Sequence, residues 1–343
     1  MNLKHYLPVL QWAPKYSRDQ ATSDLVAAVI VTVMLIPQSL AYALLAGLPA
    51  QVGLYASILP LVVYAVFGTS RTLSVGPVAV VSLMTAAALA PLADMGTPEY
   101  IAGAVLIAVM SGLMLTVMGI MRLGFLANFL SHPVISGFIT ASGIVIAASQ
   151  LKHVFGIQAP GHNLWEIAGS LLASLPETII PTLLVGVGAL AFLLWSRQFL
   201  KPLLVRLGLA NRSADIITKT APILAVVVTT LIAWWLNLDE KGVRLVGEVP
   251  AGLPSFTMPA LDMAIWSQLA VSALLISVVG FVESVSVGQT LAAKRRQRID
   301  PDQELIGLGT ANLGSGLSGG MPVTGGFSRS VVNFDAGAET PAA

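Results

Sequence analysis

Long apolar runs, broken by short polar stretches that carry most of the charge, set the rhythm of this chain. A bilayer crossing takes roughly 20 mostly apolar residues, and fewer where a helix is interrupted against protein. By that measure the sequence predicts ten spans: residues 24–47, 52–67, 75–89, 100–121, 132–151, 178–196, 219–236, 266–291 and 304–317, with a last, incomplete one from about 326. Residues 163–176 are too short to cross, and Trp165 and Glu166 near their start suit a helix lying in the interface. The first 23 residues carry Lys4, Lys15 and Arg18 without a prompt small-residue cleavage site. The span that follows is long, so no cleaved signal peptide is expected.

Charge placement orients this map. With a cytoplasmic N-terminus, the inner loops collect Lys4, Lys15, Arg18, Arg71, Arg122, Arg197, Lys201, Arg206, Arg212, Lys219, Lys294, Arg295, Arg296 and Arg298. The outer loops hold only Lys152, Lys241 and Arg244. That asymmetry is the positive-inside pattern, and it supports both the span count and the orientation. Arg329 remains, inside the last segment.

Composition narrows the class. Lys plus Arg number 18 and Asp plus Glu 17, so charged residues are 10% of the chain, against about 25% in a soluble domain. Apolar residues make up 55% and mean hydropathy is +0.82, so most of the apolar surface must face lipid. A net charge of +1 gives no field for nucleic acid, and none is expected as a partner. The absence of cysteine excludes disulfides, thiolate catalysis and Cys-ligated metals. His5, His132, His153 and His162 are scattered without metal-ligand spacing, so neither metal nor cofactor is expected. His132, before Pro133, reads as a cap or interface residue. An intramembrane enzyme would need an H-E-x-x-H or Ser/His pair at one depth, and no His lies in a span core, so the chain is not read as an enzyme. The expectation is an all-α polytopic membrane protein.

Two segments stand apart. The third span is short and opens with Ser74-Val-Gly-Pro77; the tenth opens with Pro322-Val-Thr-Gly-Gly-Phe-Ser-Arg-Ser330. Such starts at membrane depth predict broken half-helices, whose free N–H groups and partial positive charge attract an anion. In matching positions of two repeats they point to a transporter's midplane site. A weak internal echo agrees. Ile36-Pro-Gln-Ser-Leu-Ala-Tyr-Ala-Leu-Leu-Ala46 resembles Phe281-Val-Glu-Ser-Val-Ser-Val-Gly-Gln-Thr-Leu-Ala292, with Gln38 and Glu283 in like positions. By contrast, Gly314-Ser-Gly316-Leu-Ser-Gly319 fits G-x-G-x-x-G but follows no strand, so close helix packing is the reading. Lys294 to Arg298 reads as a topology anchor, and the eleven methionines as packing residues.

Several ordered motifs carry a family resemblance. Pro37-Gln-Ser-Leu-Ala-Tyr-Ala43, Gly68-Thr-Ser-Arg-Thr-Leu-Ser-Val-Gly-Pro77 and Ser131-His-Pro-Val-Ile-Ser-Gly-Phe138 resemble the SulP sulfate permeases. So do Val246-Gly-Glu-Val-Pro-Ala-Gly-Leu-Pro254, Asp302-Gln-Glu-Leu305 and 322–330. The resemblance implies an elevator fold of two inverted seven-span repeats, with two half-helices meeting at the midplane. It divides the chain into a cytoplasmic segment (1–23), core spans 1–4 (24–121), gate spans 5–7 (122–236), an extracellular loop (237–265) and incomplete core spans 8–10 (266–343). Spans 11–14 and a STAS domain would be missing, so the chain is expected to be part of a larger protein. It also implies a multi-pass protein of the bacterial inner membrane, surrounded by lipid, with a homodimer as its assembly.

Site roles follow by the same resemblance. The substrate, a small inorganic anion and foremost sulfate, would lie between backbone amides near Val78 and Ala79 and those near Phe327, Ser328 and Arg329. The Ser328 hydroxyl is a candidate donor. Gln38 and Tyr42, four residues apart, share a helix face aimed at that site; Pro37 is structural. Independently of the resemblance, Glu283 is the one acid deep in an assigned span, where a carboxylate costs about 2.5–3.5 kcal/mol. Its position resembles the coupling-ion site of SulP symporters, and Val287, one turn later, favours a proton over sodium. Arg329 either attracts the anion or pairs with Glu283. The expected function is proton-coupled sulfate transport, with bicarbonate or dicarboxylate transport as the alternative.

Overall fold

The computed structural model describes residues 6–129, 132–159, 164–245, 252–259 and 262–343. Readings at Lys4, His5, Ser131, His162 and residues 246–251 lie outside that set, as do the side chains of His132, Arg212 and Lys219. The principal elements are α1 (Arg18–Leu45), α2 (Ala50–Tyr55), α3 (Leu59–Phe67), β1 (Val75–Gly76), α4 (Ala79–Leu89), α5 (Pro98–Ile120) and α6 (His132–Phe155). They continue with α7 (Leu164–Ser174), α8 (Ile180–Trp195), α9 (Lys201–Arg206), α10 (Asn211–Trp235), α11 (Met263–Lys294), α12 (Pro301–Leu317), β2 (Thr324–Gly325) and α13 (Phe327–Ala336). Among the described residues, five stretches are long and apolar enough to cross a membrane: Arg18–Leu45, Ala50–Phe67, Pro98–Ile120, Ile180–Arg206 and Met263–Lys294. The chain is helical and multi-pass. It forms two compact units, one of Met1–Ile135 with Val249–Ala343, the other of Ser136–Glu248.

In the first unit the long helices start where side chains replace the missing carbonyls of a first turn. Ser17 and Gln20 form a reciprocal capping box on α1. Thr97 accepts from the Tyr100 amide on α5, Asp262 from the Ala264 amide on α11, and Asp300 from the Asp302 and Gln303 amides on α12. Two boundaries differ from the hydropathy map. The helix predicted from residue 24 begins at Arg18, because the cap and not the edge of the apolar run decides where a helix starts. The predicted span 52–67 is two helices, since Pro60 lacks an N–H and suits only the first turn of a new one.

Packing in this unit centres on α12 against α5. A Cβ on Gly309 would meet Thr116 Oγ1 at 2.4 Å, and one on Gly112 would meet the Leu313 amide at 2.7 Å. Backbones this close need glycine on both sides, and within the Gly314–Gly319 motif Gly316 likewise packs against Val105 and Val109 of α5. Tyr100, fully buried, donates to the Ala46 carbonyl at 2.8 Å and ties α5 to the end of α1.

Burial corrects the emphasis on a single acid. Glu304 is 0% exposed and Asp24 1% exposed. Glu304 Oε2 accepts from the Tyr64 hydroxyl at 2.6 Å, while Oε1 accepts from Thr69 N (2.7 Å), Thr69 Oγ1 (2.5 Å) and Ser70 N (3.0 Å). Asp24 Oδ1 accepts from the amides of Glu339 (2.7 Å) and Thr340 (3.2 Å), and Oδ2 from the Thr340 hydroxyl, which pins the segment after α13 to α1. Arg295 donates to the carbonyls of Phe334 and Ala338 and lies over the Phe334 ring, so one member of the basic 294–298 run caps the C-terminus of α13.

The second unit turns its apolar residues outward. Leu184 and Leu194 on α8 and Trp234 and Trp235 on α10 are exposed. Such faces suit lipid, and paired tryptophans at a helix end suit the bilayer interface. Of residues 163–176, expected to form an interfacial helix, 164–174 are helical as α7, with Trp165 86% exposed.

Candidate functional site

β1 and β2 pair antiparallel, Val75 opposite Gly325 and Gly76 opposite Thr324. Each strand leads within three residues into a short helix, α4 after Val78 and α13 after Gly326. Because the pair is antiparallel, the two helices leave it in opposite directions and both place their N-termini at the bridge. The Gly326 amide donates to the Ser74 carbonyl at 3.0 Å, and the Ser74 amide to Ser330 Oγ at 3.0 Å. Ser330 in turn donates to the Gly326 carbonyl.

Neither half-helix has a side-chain cap. The first intrahelical acceptor bonds start at Ser82 and Ser330, so the amides of Ala79, Val80 and Val81 and of Phe327, Ser328 and Arg329 have no acceptor among the described residues. The four long helices of this unit satisfy their first turns with Ser17, Thr97, Asp262 and Asp300. These two leave theirs open, on either side of one junction. Free N–H groups at a helix N-terminus are the kind of group that attracts an anion.

Arg329 adds charge there. Its side chain is 1% exposed, Nη1 donates to the Pro77 carbonyl at 2.7 Å, and Nε and Nη2 have no partner. A Cβ on Gly326 would come within 2.9 Å of Nη2, so glycine is what admits the guanidinium beside the bridge. Free snorkelling does not describe this residue. Glu283 on α11 is half-buried, with Oε2 buried and unpartnered. Its charge, that of Arg329 and the Tyr42 hydroxyl are near enough to interact electrostatically, yet no hydrogen bond joins them.

All the expected site residues belong to the first unit. Val78 caps α4 as a buried residue and Ala79 opens that helix; Phe327 and Ser328 are exposed at the start of α13. Ser328 Oγ makes no hydrogen bond to a described residue. Gln38 and Tyr42 are half-buried on α1, and Val287 is buried one turn beyond Glu283.

Sequence reasoning missed the residues that hold the bridge. Ser284 and Thr324 hydroxyls meet at 2.6 Å, the Gly325 amide donates to Ser284 Oγ at 2.8 Å, and Thr324 donates to the Gly280 carbonyl. Asn312 accepts from the Val323 amide and donates to the Val323 and Leu308 carbonyls. Thus α11 and α12 lock β2 from two sides. Ser284 adjoins Glu283 in the echo motif, a signal present but unread; Asn312 carried none.

Known proteins resemble this chain in sequence and in fold. The chain is 39% identical over 336 residues to the chloroplastic sulfate transporter 4.1 of Arabidopsis thaliana, covering 97% of this chain and 47% of that one. The chain thus spans about half the length of that curated relative. The structure of SLC26A9 superposes with a TM-score of 0.87 at 28% identity, covering 99% of this chain and 54% of the other. The transmembrane domain of a cyanobacterial bicarbonate transporter, BicA, shares the fold with a TM-score of 0.80 at 22% identity, covering 95% and 80%. With the sulfate permease family model matching residues 22–343, this chain belongs to the sulfate permease family.

Proposed function

We propose that the chain carries the substrate site of a secondary transporter for a small inorganic anion, sulfate first, moved with a proton by an elevator displacement of core against gate. The observation that carries this reading is the pair of uncapped half-helices sharing one antiparallel bridge, with a buried, half-satisfied Arg329 between them. Amides at Ala79 and at 327–329, with the Ser328 hydroxyl, would receive the oxyanion; Arg329 would balance its charge; Gln38 and Tyr42 would line the approach. Glu283 is the proton site of this proposal. A carboxylate that faces a bound dianion binds it better when neutral, and a buried Val287 leaves no hydroxyl to help hold sodium. Core (24–121 and 266–343), gate (122–236), a cytoplasmic N-terminus, the bacterial inner membrane and a homodimer belong to the same reading.

Sulfate titration of the purified chain in nanodiscs, across a pH series, tests it. Saturable binding that strengthens as pH falls is expected; no binding, or binding indifferent to both Ser328→Ala and Arg329→Gln, removes the site assignment. The backbone cradle suits any compact anion, so competition by bicarbonate and by a dicarboxylate against sulfate decides the substrate.

A further inference from the structure

On residues other than those of the half-helix bridge, the first unit forms an open polar cavity of about 610 Å³. Four separate stretches of chain build it: residues 8–20 before and at the start of α1, the 68–72 loop after α3, residues 292–303 between α11 and α12, and Thr340 with Pro341. Three cations line it, Lys15, Arg71 and Arg298, one from each of the first three stretches. Each is exposed, and none forms a hydrogen bond or ion pair with a described residue. The single acid in the lining, Asp300, is committed to capping α12.

Two further groups face the same question of a missing partner. The Trp12 indole Nε1 is buried with no acceptor, and Gln303, 1% exposed, leaves Oε1 unpartnered while Nε2 donates to Tyr6 and Phe67 carbonyls. Buried donors and acceptors are costly to leave unsatisfied, and a ligand or water relieves that cost. Three uncommitted cations and a buried N–H call for acceptor oxygens bearing negative charge; the free Oε1 calls for a hydroxyl. The cavity lies within the roughly 300–1,000 Å³ of small-molecule sites, which is more than a bare oxoanion fills.

We propose that this cavity binds a phosphate ester with a hydroxyl-bearing organic part, held by Lys15, Arg71 and Arg298 and by the Trp12 N–H. That chemistry is common to a soluble nucleotide and to a phospholipid headgroup. The site is separate from the transported anion's.

The test uses the purified chain in detergent, titrated calorimetrically with magnesium-free ATP and, separately, with dioctanoyl phosphatidylglycerol. Saturable binding of one of them is expected, ATP indicating a soluble ligand and the lipid a headgroup. Arg71→Gln with Arg298→Gln should weaken it about 10-fold or more, as removal of charge-assisted contacts does. Lys15→Gln alone, at an exposed position that should fold unaltered, should weaken it about 3-fold or more. Arg206→Gln, an equal loss of charge in the other unit, and Arg329→Gln should leave it unchanged. The proposal is overturned if neither probe saturates, if the cavity variants bind as the parent does, or if Arg329→Gln abolishes binding, which would move the ligand to the half-helix site.

Discussion

Two glutamates of the same unit contrast: Glu304 is wholly buried, Glu283 is half-buried with one buried oxygen, and their carboxylates are satisfied in opposite ways. Glu304 has no cation beside it among the described residues, yet four donors from Tyr64, Thr69 and Ser70 surround its two oxygens. Glu283 has a buried arginine within electrostatic reach, yet Oε2 accepts from nothing. The first arrangement is closed: every lone pair that matters is used, and the α3–β1 loop is fastened to α12. The second is open, and an open buried polar group is one that can respond to a proton or an anion. Burial alone does not separate the two acids; the satisfaction of their oxygens does.

The largest effect that can break this contrast is on stability. Glu304→Ala strands the Tyr64 hydroxyl and two loop amides, and should cost about 3–5 kcal/mol, read as a lower unfolding temperature in detergent. Unaltered melting would end the distinction between a closed and an open acid. Next, Arg329→Gln should lower sulfate affinity about 10–100-fold, the loss of a charged hydrogen bond. Its melting should shift less than that of Glu304→Ala, because two of its three guanidinium nitrogens make no hydrogen bond to a described residue. Glu283→Gln is subtler. Its sulfate affinity should stop changing with pH, since the side chain can no longer gain or lose the charge that opposes a dianion; a pH profile identical to the parent's removes the coupling role. The smallest change belongs to Ser328→Ala, where one neutral donor is lost and affinity should fall about 2–10-fold. Full affinity there would leave the amides of α13 as the contact and drop the hydroxyl.

What the sequence makes legible follows from what is local. Apolar run lengths announce the membrane helices, and the Gly-, Pro- and Ser-rich starts at residues 74 and 322 announce the two half-helices, because both signals lie within a few consecutive residues. Arg329 and Glu283 stand out because charge is rare in apolar segments. Glu304 was hidden for the complementary reason. It sits among Asp300 and Asp302 at the edge of an apolar run, where an acid is unremarkable, and its partner Tyr64 is 240 residues away. Asn312 and the Ser284–Thr324 pair are ordinary helix and loop residues until a tertiary contact gives them a role. The division of 52–67 into two helices was in reach, since Pro60 was visible, but hydropathy is blind to a missing N–H.

The bridge that joins the two half-helices also has a history within each molecule. Ser74 and Ser330 are 256 residues apart, so at 5–20 residues per second the ribosome delivers the second strand roughly 10–50 s after the first. During that interval α4 waits with a bare leading turn and no partner for β1. The proposed anion site therefore cannot form until Ser330 has been made, and the nascent chain must shelter its first half through that interval.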